Sequence, residues 1–210
     1  DSGLVRLGTT AAATGAILDP IVADFAEAHP RIQLQATTLL GPTLDASFVG
    51  SEYDVICCRQ RETIPEGWIF EPCYQDALVP VCGTTHPLAL DSNVTISDLG
   101  KSIWLQNHIS TVARHKFDEL IQREGWANIR EVQVLSRVTI LIWTMLKAGK
   151  YVTLVPRSVV APWIFEGLLY EIPVDLQLPL EPLGYHWRPS YAGTAVQTFI
   201  ETLRTENTDL

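Results

Sequence analysis

A run of small and hydroxyl-bearing residues, GTTAAAT at positions 8–14, joins the first predicted strand to the first predicted helix. Thr9, Thr10 and Ala11 would stand at the helix N-terminus, where backbone N–H groups lack partners and carry a partial positive charge. Such a turn suits a carboxylate, a sulfonate or a similar anion, and Thr10 is the strongest single candidate. The alternative is that Thr9, Thr10 or Thr14 only caps the helix.

A second turn of this kind, QNHIST at positions 106–111, follows a predicted strand and opens another predicted helix. Asn107, His108 and Ser110 are its candidate ligand-binding residues, because amide, imidazole and hydroxyl groups can hydrogen-bond an anion. His108 could also respond to pH, since an unperturbed imidazole titrates near neutrality. The alternatives are Ser110 or Thr111 as an ordinary N-cap and His108 as a solvated loop residue.

Arg59 lies at the end of a predicted strand over residues 53–58. An arginine there can hold a planar oxyanion through two parallel hydrogen bonds, which makes Arg59 a third candidate. Arg61 and Glu62 follow closely, so an exposed ion pair is the alternative for this region.

Three further positions are weaker candidates. Ser136 and Arg137 open a predicted helix and offer a hydroxyl and a guanidinium, although a helix cap with a solvated arginine explains them equally well. Pro156 ends a predicted strand over residues 151–155 and would form part of the wall of a pocket.

No motif for catalysis or metal binding is present in the sequence. We find no GxSxG, HExxH, P-loop or GxGxxG pattern and no metal-ligand spacing among the five histidines. The four cysteines have no CxxC spacing, and adjacent Cys57 and Cys58 would point to opposite faces of a strand. We therefore expect no enzymatic activity, no cofactor, and buried free thiols in a reducing compartment.

The composition excludes several classes of protein. A net charge of −9 argues against direct binding of a phosphate backbone, which requires clustered Lys and Arg. With 47% apolar and 19% charged residues the chain is globular. No segment approaches the ~18 uninterrupted apolar residues of a membrane span, and the N-terminus does not resemble a signal peptide, so we expect a soluble, unexported chain with no membrane partner.

The periodicity predicts strands alternating with helices, which favours mostly parallel α/β sheets. Residues 4–9, 15–28 and 31–37 read as strand, helix and strand, and residues 68–82 read as two extended pieces. The alternation restarts near residue 102 and includes a helix over residues 110–124. The next helix stops at Gly149, and its apolar stripe consists of Val138, Leu141, Ile142, Met145 and Leu146. A Pro-rich connection around residues 173–182 then leads back to a last strand and helix. We expect two Rossmann-like α/β lobes, formed by residues 1–80 plus 184–210 and by residues 81–183, with a ligand cleft between them.

Five segments together resemble the effector-binding domain of LysR-type transcriptional regulators. They are AHPRIQLQA (28–36), YDVICCR (53–59), HPLAL (86–90), SDL (97–99) and AGKYVTLVP (148–156), and they span nearly the whole chain in the order and spacing typical of that family. The resemblance implies a fold like that of type II periplasmic binding proteins. Tyr151 departs from the pattern, because the family usually has a second glycine there.

The same resemblance implies a function and partners. The chain would bind a small-molecule effector between its lobes, and would act on DNA only through an N-terminal winged helix-turn-helix domain absent from this chain. The two helix-opening turns and Arg59, rather than the resemblance, favour a small organic acid as that effector. The resemblance also implies a cytoplasmic homodimer with antiparallel lobes, in which residues 15–37 of one chain meet residues 110–135 of the other, and a tetramer of the full-length regulator. The alternative is a periplasmic solute-binding protein of a transport system, and an enzyme is the least favoured class.

Overall fold

The computed structural model describes residues 2–135 and 138–206. The chain forms two compact units: unit 1 comprises Asp1–Asp76 and Glu181–Leu210, and unit 2 comprises Ala77–Leu180. The boundaries expected from the sequence, after residues 80 and 183, fall inside the strands Leu78–Gly83 and Leu183–Trp187. Each of these strands pairs within a single unit, so the chain crosses between units a few residues earlier than expected.

Ten strands are described. In chain order they are β1 (Gly3–Thr9), β2 (Ile32–Thr38), β3 (Val55–Arg59), β4 (Ile69–Tyr74), β5 (Leu78–Gly83), β6 (Ile103–Leu105), β7 (Arg130–Val132), β8 (Val152–Pro156), β9 (Leu169–Glu171) and β10 (Leu183–Trp187). They form two five-stranded sheets, in the order β2-β1-β3-β10-β4 in unit 1 and β7-β6-β8-β5-β9 in unit 2.

Both sheets are mixed, although the sequence predicted mostly parallel ones. In unit 1, β1 pairs in parallel with β2 and β3, while β10 is antiparallel to β3 and β4. In unit 2, β6 is parallel to β7 and β8, while β5 is antiparallel to β8 and β9. The antiparallel strands β5 and β10 are the ones that follow the two crossings between units. A strand-helix-strand connection within one sheet makes the two strands parallel. The segments that lead into β5 and β10 come from the other unit instead, so this rule does not set the direction of these strands.

Nine α-helices are described. They are α1 (Ala11–Ala13), α2 (Val22–Ala28), α3 (Pro42–Ser47), α4 (Pro87–Leu90), α5 (Ile96–Gly100), α6 (Val112–Glu124), α7 (Thr139–Leu146), α8 (Arg157–Phe165) and α9 (Thr194–Glu206). The single helix predicted over residues 15–28 is wrong. A π-helical segment, Thr14–Leu18, continues α1, and α2 begins only at Val22, because Pro20 has no N–H to donate within a helix.

Each unit has its own apolar core. In unit 1, Phe25 of α2 meets Phe199 of α9 edge to face at 5.1 Å between ring centroids, in the same core as the fully buried Val5 and Val55. In unit 2, the buried Trp104 of β6 lies 4.6 Å from the ring of Phe117 on α6. Buried aromatic pairs of this kind contribute about 0.5–1.5 kcal/mol beyond the area they remove from water.

Helix α7 buries part of its predicted apolar stripe. Leu146 lies in the core of unit 2 and Ile142 and Met145 pack against that core, whereas Val138 and Leu141 are 53% and 41% exposed. Only Leu146 among the eight residues of α7 is buried. The helix ends as expected, because Gly149 adopts φ +70° and its N–H donates to the carbonyl of Leu146 at 2.9 Å.

Within the described residues, no helix has the length and apolar character needed to cross a membrane.

Candidate functional site

The turn after β1 is closed by its own hydroxyl groups. Thr10 is the N-cap of α1, and its Oγ1 accepts a hydrogen bond from the Ala13 N–H at 3.3 Å. The Thr14 hydroxyl donates to the Thr10 carbonyl at 2.9 Å, and the hydroxyls of Thr9 and Thr14 lie 3.1 Å apart. The cap considered as the alternative for Thr10 is therefore formed, and it holds the turn in one conformation.

Backbone donors remain at this turn. The first N–H groups of a helix have no carbonyl within the helix to bond, and here they belong to Ala11 and Ala12. Both alanines are half-buried, while Thr9 is only 4% exposed. Thr10 is fixed to the neighbouring strand, because its N–H donates to the Cys57 carbonyl at 3.1 Å. The turn can therefore present two N–H groups and one half-buried hydroxyl to an anion.

Arg59 is held by two groups of unit 1. Its Nη2 donates to Oδ2 of Asp76 at 2.7 Å, and its Nη1 donates to the Glu181 carbonyl at 3.0 Å. The Asp76 side chain is fully buried, so this pair is not the exposed ion pair considered as the alternative. Arg61 pairs instead with Asp45. Both terminal nitrogens of the Arg59 guanidinium thus join β3 to the two segments where the chain leaves and re-enters unit 1.

The turn after β6 is closed in a similar way. Thr111 is the N-cap of α6, accepting from the Arg114 N–H at 3.2 Å and donating to the His108 carbonyl at 2.7 Å. The His108 Nδ1 lies 2.8 Å from the Ser110 hydroxyl and accepts from the Ser110 N–H at 3.3 Å. Thr111 rather than Ser110 is therefore the cap. It leaves the N–H groups of Val112 and Ala113 at the start of a 13-residue helix.

Two amides anchor this second turn. The Asn107 Nδ2 donates to the Leu154 carbonyl of β8, and the Gln106 Nε2 donates to the Glu131 carboxylate at 2.9 Å. A cavity of about 10 Å³ lies beside them, lined also by Leu141 and Thr153. That volume holds about one water molecule, so the groups around Gln106 and Asn107 are closely packed in this conformation.

The predicted residues gather at one edge of each sheet. Thr9 and Arg59 are the last residues of the neighbouring parallel strands β1 and β3, and Thr10 and Ala11 follow Thr9 directly. In unit 2, Asn107, His108 and Ser110 follow the end of β6, and Pro156 ends the adjacent strand β8. Ser136 and Arg137 lie outside the described residues. Whether these positions bind a ligand stays a prediction.

The cysteines are buried free thiols. All four are buried, and burial raises the pKa values of Cys58, Cys73 and Cys82 to about 12. The pKa of the Cys57 thiol is likewise raised by burial. Such thiols are poor nucleophiles at neutral pH, because little thiolate is present.

Two side-chain contacts were not predicted from the sequence. The Cys58 sulfur lies 3.5 Å from Nδ1 of His186, which is 128 positions away along the chain. Asp76 is the carboxylate that engages Arg59, whereas the sequence pointed to Glu62 as the nearest acidic group. Neither pair has a local sequence signal, because the pairing of β10 with β3 brings the first together and the route of the chain after β4 brings the second.

Comparisons with known proteins identify the family. The model of the LysR substrate binding domain matches residues 1–208. HTH-type transcriptional regulator GbpR of Azospirillum brasilense is 21% identical over 188 residues, which are 89% of this chain and 55% of that protein. The chain spans about half the length of the curated relatives it matches.

Solved structures show the same fold. The regulatory domain of Synechocystis PCC6803 CcmR in complex with 2-PG superposes with a TM-score of 0.71 at 17% identity, covering 100% of this chain and 99% of that one. The effector binding domain of QuiR in complex with shikimate gives a TM-score of 0.69 at 13% identity, covering 99% and 98%. The fold is that of these regulatory domains and is like that of type II periplasmic binding proteins, which confirms the predicted fold class.

The relatives are transcriptional regulators, so the alternative of a periplasmic transport protein is not favoured. Because the family model covers nearly all of its residues, the chain belongs to the LysR substrate binding domain family.

Proposed function

We propose that the chain is the ligand-sensing part of a LysR-type bacterial transcriptional regulator and that it binds a small organic acid. The observation that carries the proposal is the pair of capped strand-to-helix turns, at Thr10 and at Thr111, each leaving N–H groups at a helix N-terminus. An anion is favoured there by the N–H donors and by the partial positive charge of the helix end. GbpR and CcmR support the regulatory role, since the first is described as a transcriptional regulator and the second by its regulatory domain. QuiR supports ligand binding, since its structure is that of an effector binding domain in complex with shikimate.

In this proposal the Thr10 turn supplies most of its binding through backbone groups. The Thr10 hydroxyl already accepts from the Ala13 N–H, so its remaining capacity is to donate to the ligand. Asn107, His108, Ser110 and Pro156 are the proposed contributions of unit 2, with Ser136 and Arg137 as further predicted contacts. We assign Arg59 to supporting the site, because its engagement with Asp76 leaves fewer donors for a ligand.

The regulatory output rests on parts outside this chain. We propose that DNA is bound by a separate N-terminal domain, since the net charge of −9 disfavours a phosphate backbone and the curated relatives are about twice as long. A ligand changes that output only through unequal affinity for two states of the protein. The role implies a cytoplasmic location and no enzymatic turnover.

We further propose a homodimer in which β2 and α2 of one chain meet β7 and α6 of the other, and a tetramer of the full-length regulator. β2 and β7 are edge strands of their sheets among the described residues, so each has backbone groups available to a second chain. Val22 on α2 and Val112 on α6 are 41% and 59% exposed, which supplies apolar surface beside those edges. An isologous dimer would bury both surfaces twice.

The test is isothermal titration calorimetry with aliphatic acids, aromatic acids, amino acids and neutral analogues of the same size. We expect one class of acids to bind and its neutral analogues to fail. Thr10→Val should weaken binding of that acid by about tenfold, ~1.4 kcal/mol, while Thr10→Ser, which keeps hydroxyl and cap, should retain it. Thr202→Val, which removes a similar hydroxyl from α9, is the matched control.

Three results would contradict the proposal. If neutral analogues bind as tightly as the acids, the site does not select an anion. If Thr10→Val leaves the affinity unchanged, Thr10 does not contact the ligand. Release of a chemically altered ligand after prolonged incubation would show an enzyme rather than a sensor.

A further inference from the structure

A second candidate site lies in unit 2, at the sheet edge opposite the 106–111 turn. It is an open depression of about 450 Å³ where three parallel strands begin. Ile103 starts β6, Arg130 starts β7, and Lys150 lies just before β8. Because the three strands are parallel, their first residues meet at one edge, whereas the 106–111 turn follows the end of β6. The two sites are therefore separate.

The depression is basic in an acidic chain. Lys101, Arg130 and Lys150 line it together with a single carboxylate, Asp98. The chain as a whole has only 15 Lys and Arg against 24 Asp and Glu. Three cations that reach one small surface from three different elements make a local positive potential that the net charge does not predict.

The one carboxylate is already engaged. Asp98 completes the capping box of α5, accepting from the Thr95 N–H at 2.9 Å and from the Thr95 hydroxyl at 2.7 Å. Lys101 Nζ lies 3.4 Å from the other carboxylate oxygen, in an exposed and weak pair. Asp98 therefore neutralises at most part of the charge of Lys101 and leaves that of Arg130 and Lys150.

The remaining donors are available to a ligand. The Arg130 Nη2 donates to the Lys101 carbonyl, which orients the guanidinium and leaves its other nitrogens. Lys150 has no ion-pair partner among residues 2–135 and 138–206. The His86 Nδ1 accepts from the Leu88 N–H at 3.1 Å, so its Nε2 carries the proton of the neutral ring and is a third kind of donor.

Apolar groups complete the surface. Pro87, Leu88 and Ile103 line the same depression, so it can take up a hydrocarbon portion beside the cations. A volume of about 450 Å³ lies within the range of small-molecule sites, ~300–1,000 Å³.

We propose that this basic depression binds a small organic phosphate monoester, with the phosphate between Arg130 and Lys150 and the organic group against Leu88 and Ile103. A dianion matches the two cations that Asp98 does not neutralise, and Arg130 can bond phosphate oxygens through a planar fork. A nucleic acid fits poorly, because a long polyanion extends into the field of a chain with net charge −9. This site would be additional to the effector site and does not depend on it.

The experiment is an NMR titration of the ¹⁵N-labelled chain with phenyl phosphate, with inorganic phosphate and phenol as the two half-probes. We expect saturable shifts of the Ile103, Gly149 and Lys150 amides, smaller shifts of the same amides with inorganic phosphate, and none with phenol. Lys150→Gln should weaken phenyl phosphate binding at least tenfold. Lys150 is exposed, so that substitution should leave the spectrum of the folded chain otherwise intact.

Lys116→Gln is the matched control, because Lys116 lies on α6 of the same unit, paired with Glu119 and outside the depression. An equal loss of affinity in Lys116→Gln and Lys150→Gln would overturn the proposal by showing general attraction to surface lysines. Shifts that do not saturate, or that centre on the Thr10 or Thr111 turns, would overturn it as well.

Discussion

The guanidinium of Arg59 donates to Oδ2 of Asp76 at 2.7 Å, and the same side chain donates to the carbonyl of Glu181. Asp76 is the last residue of unit 1 before the chain leaves it, and Glu181 is the first after the chain returns. One side chain at the end of β3 therefore fixes both crossing segments to the sheet of unit 1. This explains the presence of an arginine at that strand end without requiring it to touch a ligand.

Arg59→Gln should destabilise the chain. Its loss would leave the buried Asp76 carboxylate without its arginine, and removing one partner of a buried pair costs about 3 kcal/mol. Arg61→Gln is the control, because its partner Asp45 is largely exposed and that pair should contribute below about 1 kcal/mol. Urea unfolding measures both, and similar losses in the two variants would contradict the assigned role of Arg59.

His186 should make stability fall in mild acid. Burial lowers the pKa of His186 to about 4 from an ordinary value of 6.5, so the unfolded chain takes up a proton there before the folded chain does. Stability is therefore full above about pH 6.5 and falls as the pH drops to about 4, by ~3 kcal/mol from this residue. Urea unfolding between pH 7 and pH 4 follows the change.

His186→Phe isolates that contribution. The imidazole packs between Phe48 and Phe70, at 5.1 and 4.6 Å between ring centroids, so a phenyl ring suits the surroundings. Its Nε2 is a buried atom without a hydrogen-bond partner among the described residues, so the substitution removes an unfavourable burial. We expect the variant to be at least as stable at pH 7 and less sensitive to acid. An unchanged difference between pH 7 and pH 4 would rule out His186 as the source.

We expect Glu71 to stabilise the packing of α9 against the sheet of unit 1. Its carboxylate accepts from Tyr185 at 3.0 Å, from the Trp187 indole at 2.9 Å, and from Arg204 of α9 at 2.8 and 2.7 Å. The Arg204 hydrogen bonds hold the pKa of Glu71 below its usual range, so this contribution is present at neutral pH and lost only in acid.

Glu71→Gln should therefore cost about 1–2 kcal/mol and speed hydrogen exchange in α9. Glu201→Gln on the exposed side of α9 is the comparison, with an expected change within ~0.5 kcal/mol. Equal exchange rates for α9 in the two variants would show that the apolar contacts of Phe199 and Leu203 are sufficient to hold the helix.

The cysteines should not react in the folded chain. Cys57 and Cys58 are fully buried and their thiol pKa values are raised, so a disulfide reagent at pH 8 should label them only after unfolding. Counting thiols before and after adding urea measures this. Rapid labelling of even one thiol in the native chain would point to redox sensing and against the structural role assigned here.

Much of the fold could be predicted because its signals are local. The helix that α6 forms, with a capping residue before it and Gly125 after it, was expected over residues 110–124 and is present over Val112–Glu124. The break before Val22 was not predicted, because the apolar residues keep helical spacing across it and only one proline marks it. The direction of β10 could not be read from its residues, since it is decided by the route of the chain between the units.

The candidate site was predictable only in part, for the same reason. Thr10 and Thr111 are caps that a short sequence window can reveal. The grouping of Lys101, Arg130 and Lys150 depends on three strands beginning at one edge, which no window contains. Of the apolar stripe expected on α7, Ile142, Met145 and Leu146 join the core while Leu141 is exposed, so hydrophobic spacing alone does not decide which residues are buried.

The position of β10 has a consequence for synthesis on the ribosome. β10 lies between β3 and β4, so the sheet of unit 1 stays in two pieces until residues 183–187 have emerged. Unit 2 is one continuous stretch, Ala77–Leu180, and can complete its own sheet first. Domains usually mature from the N-terminus during translation, whereas here the amino-terminal unit must wait for the carboxyl-terminal strand. Until then the edges of β3 and β4 that pair with β10 lack their partner strand.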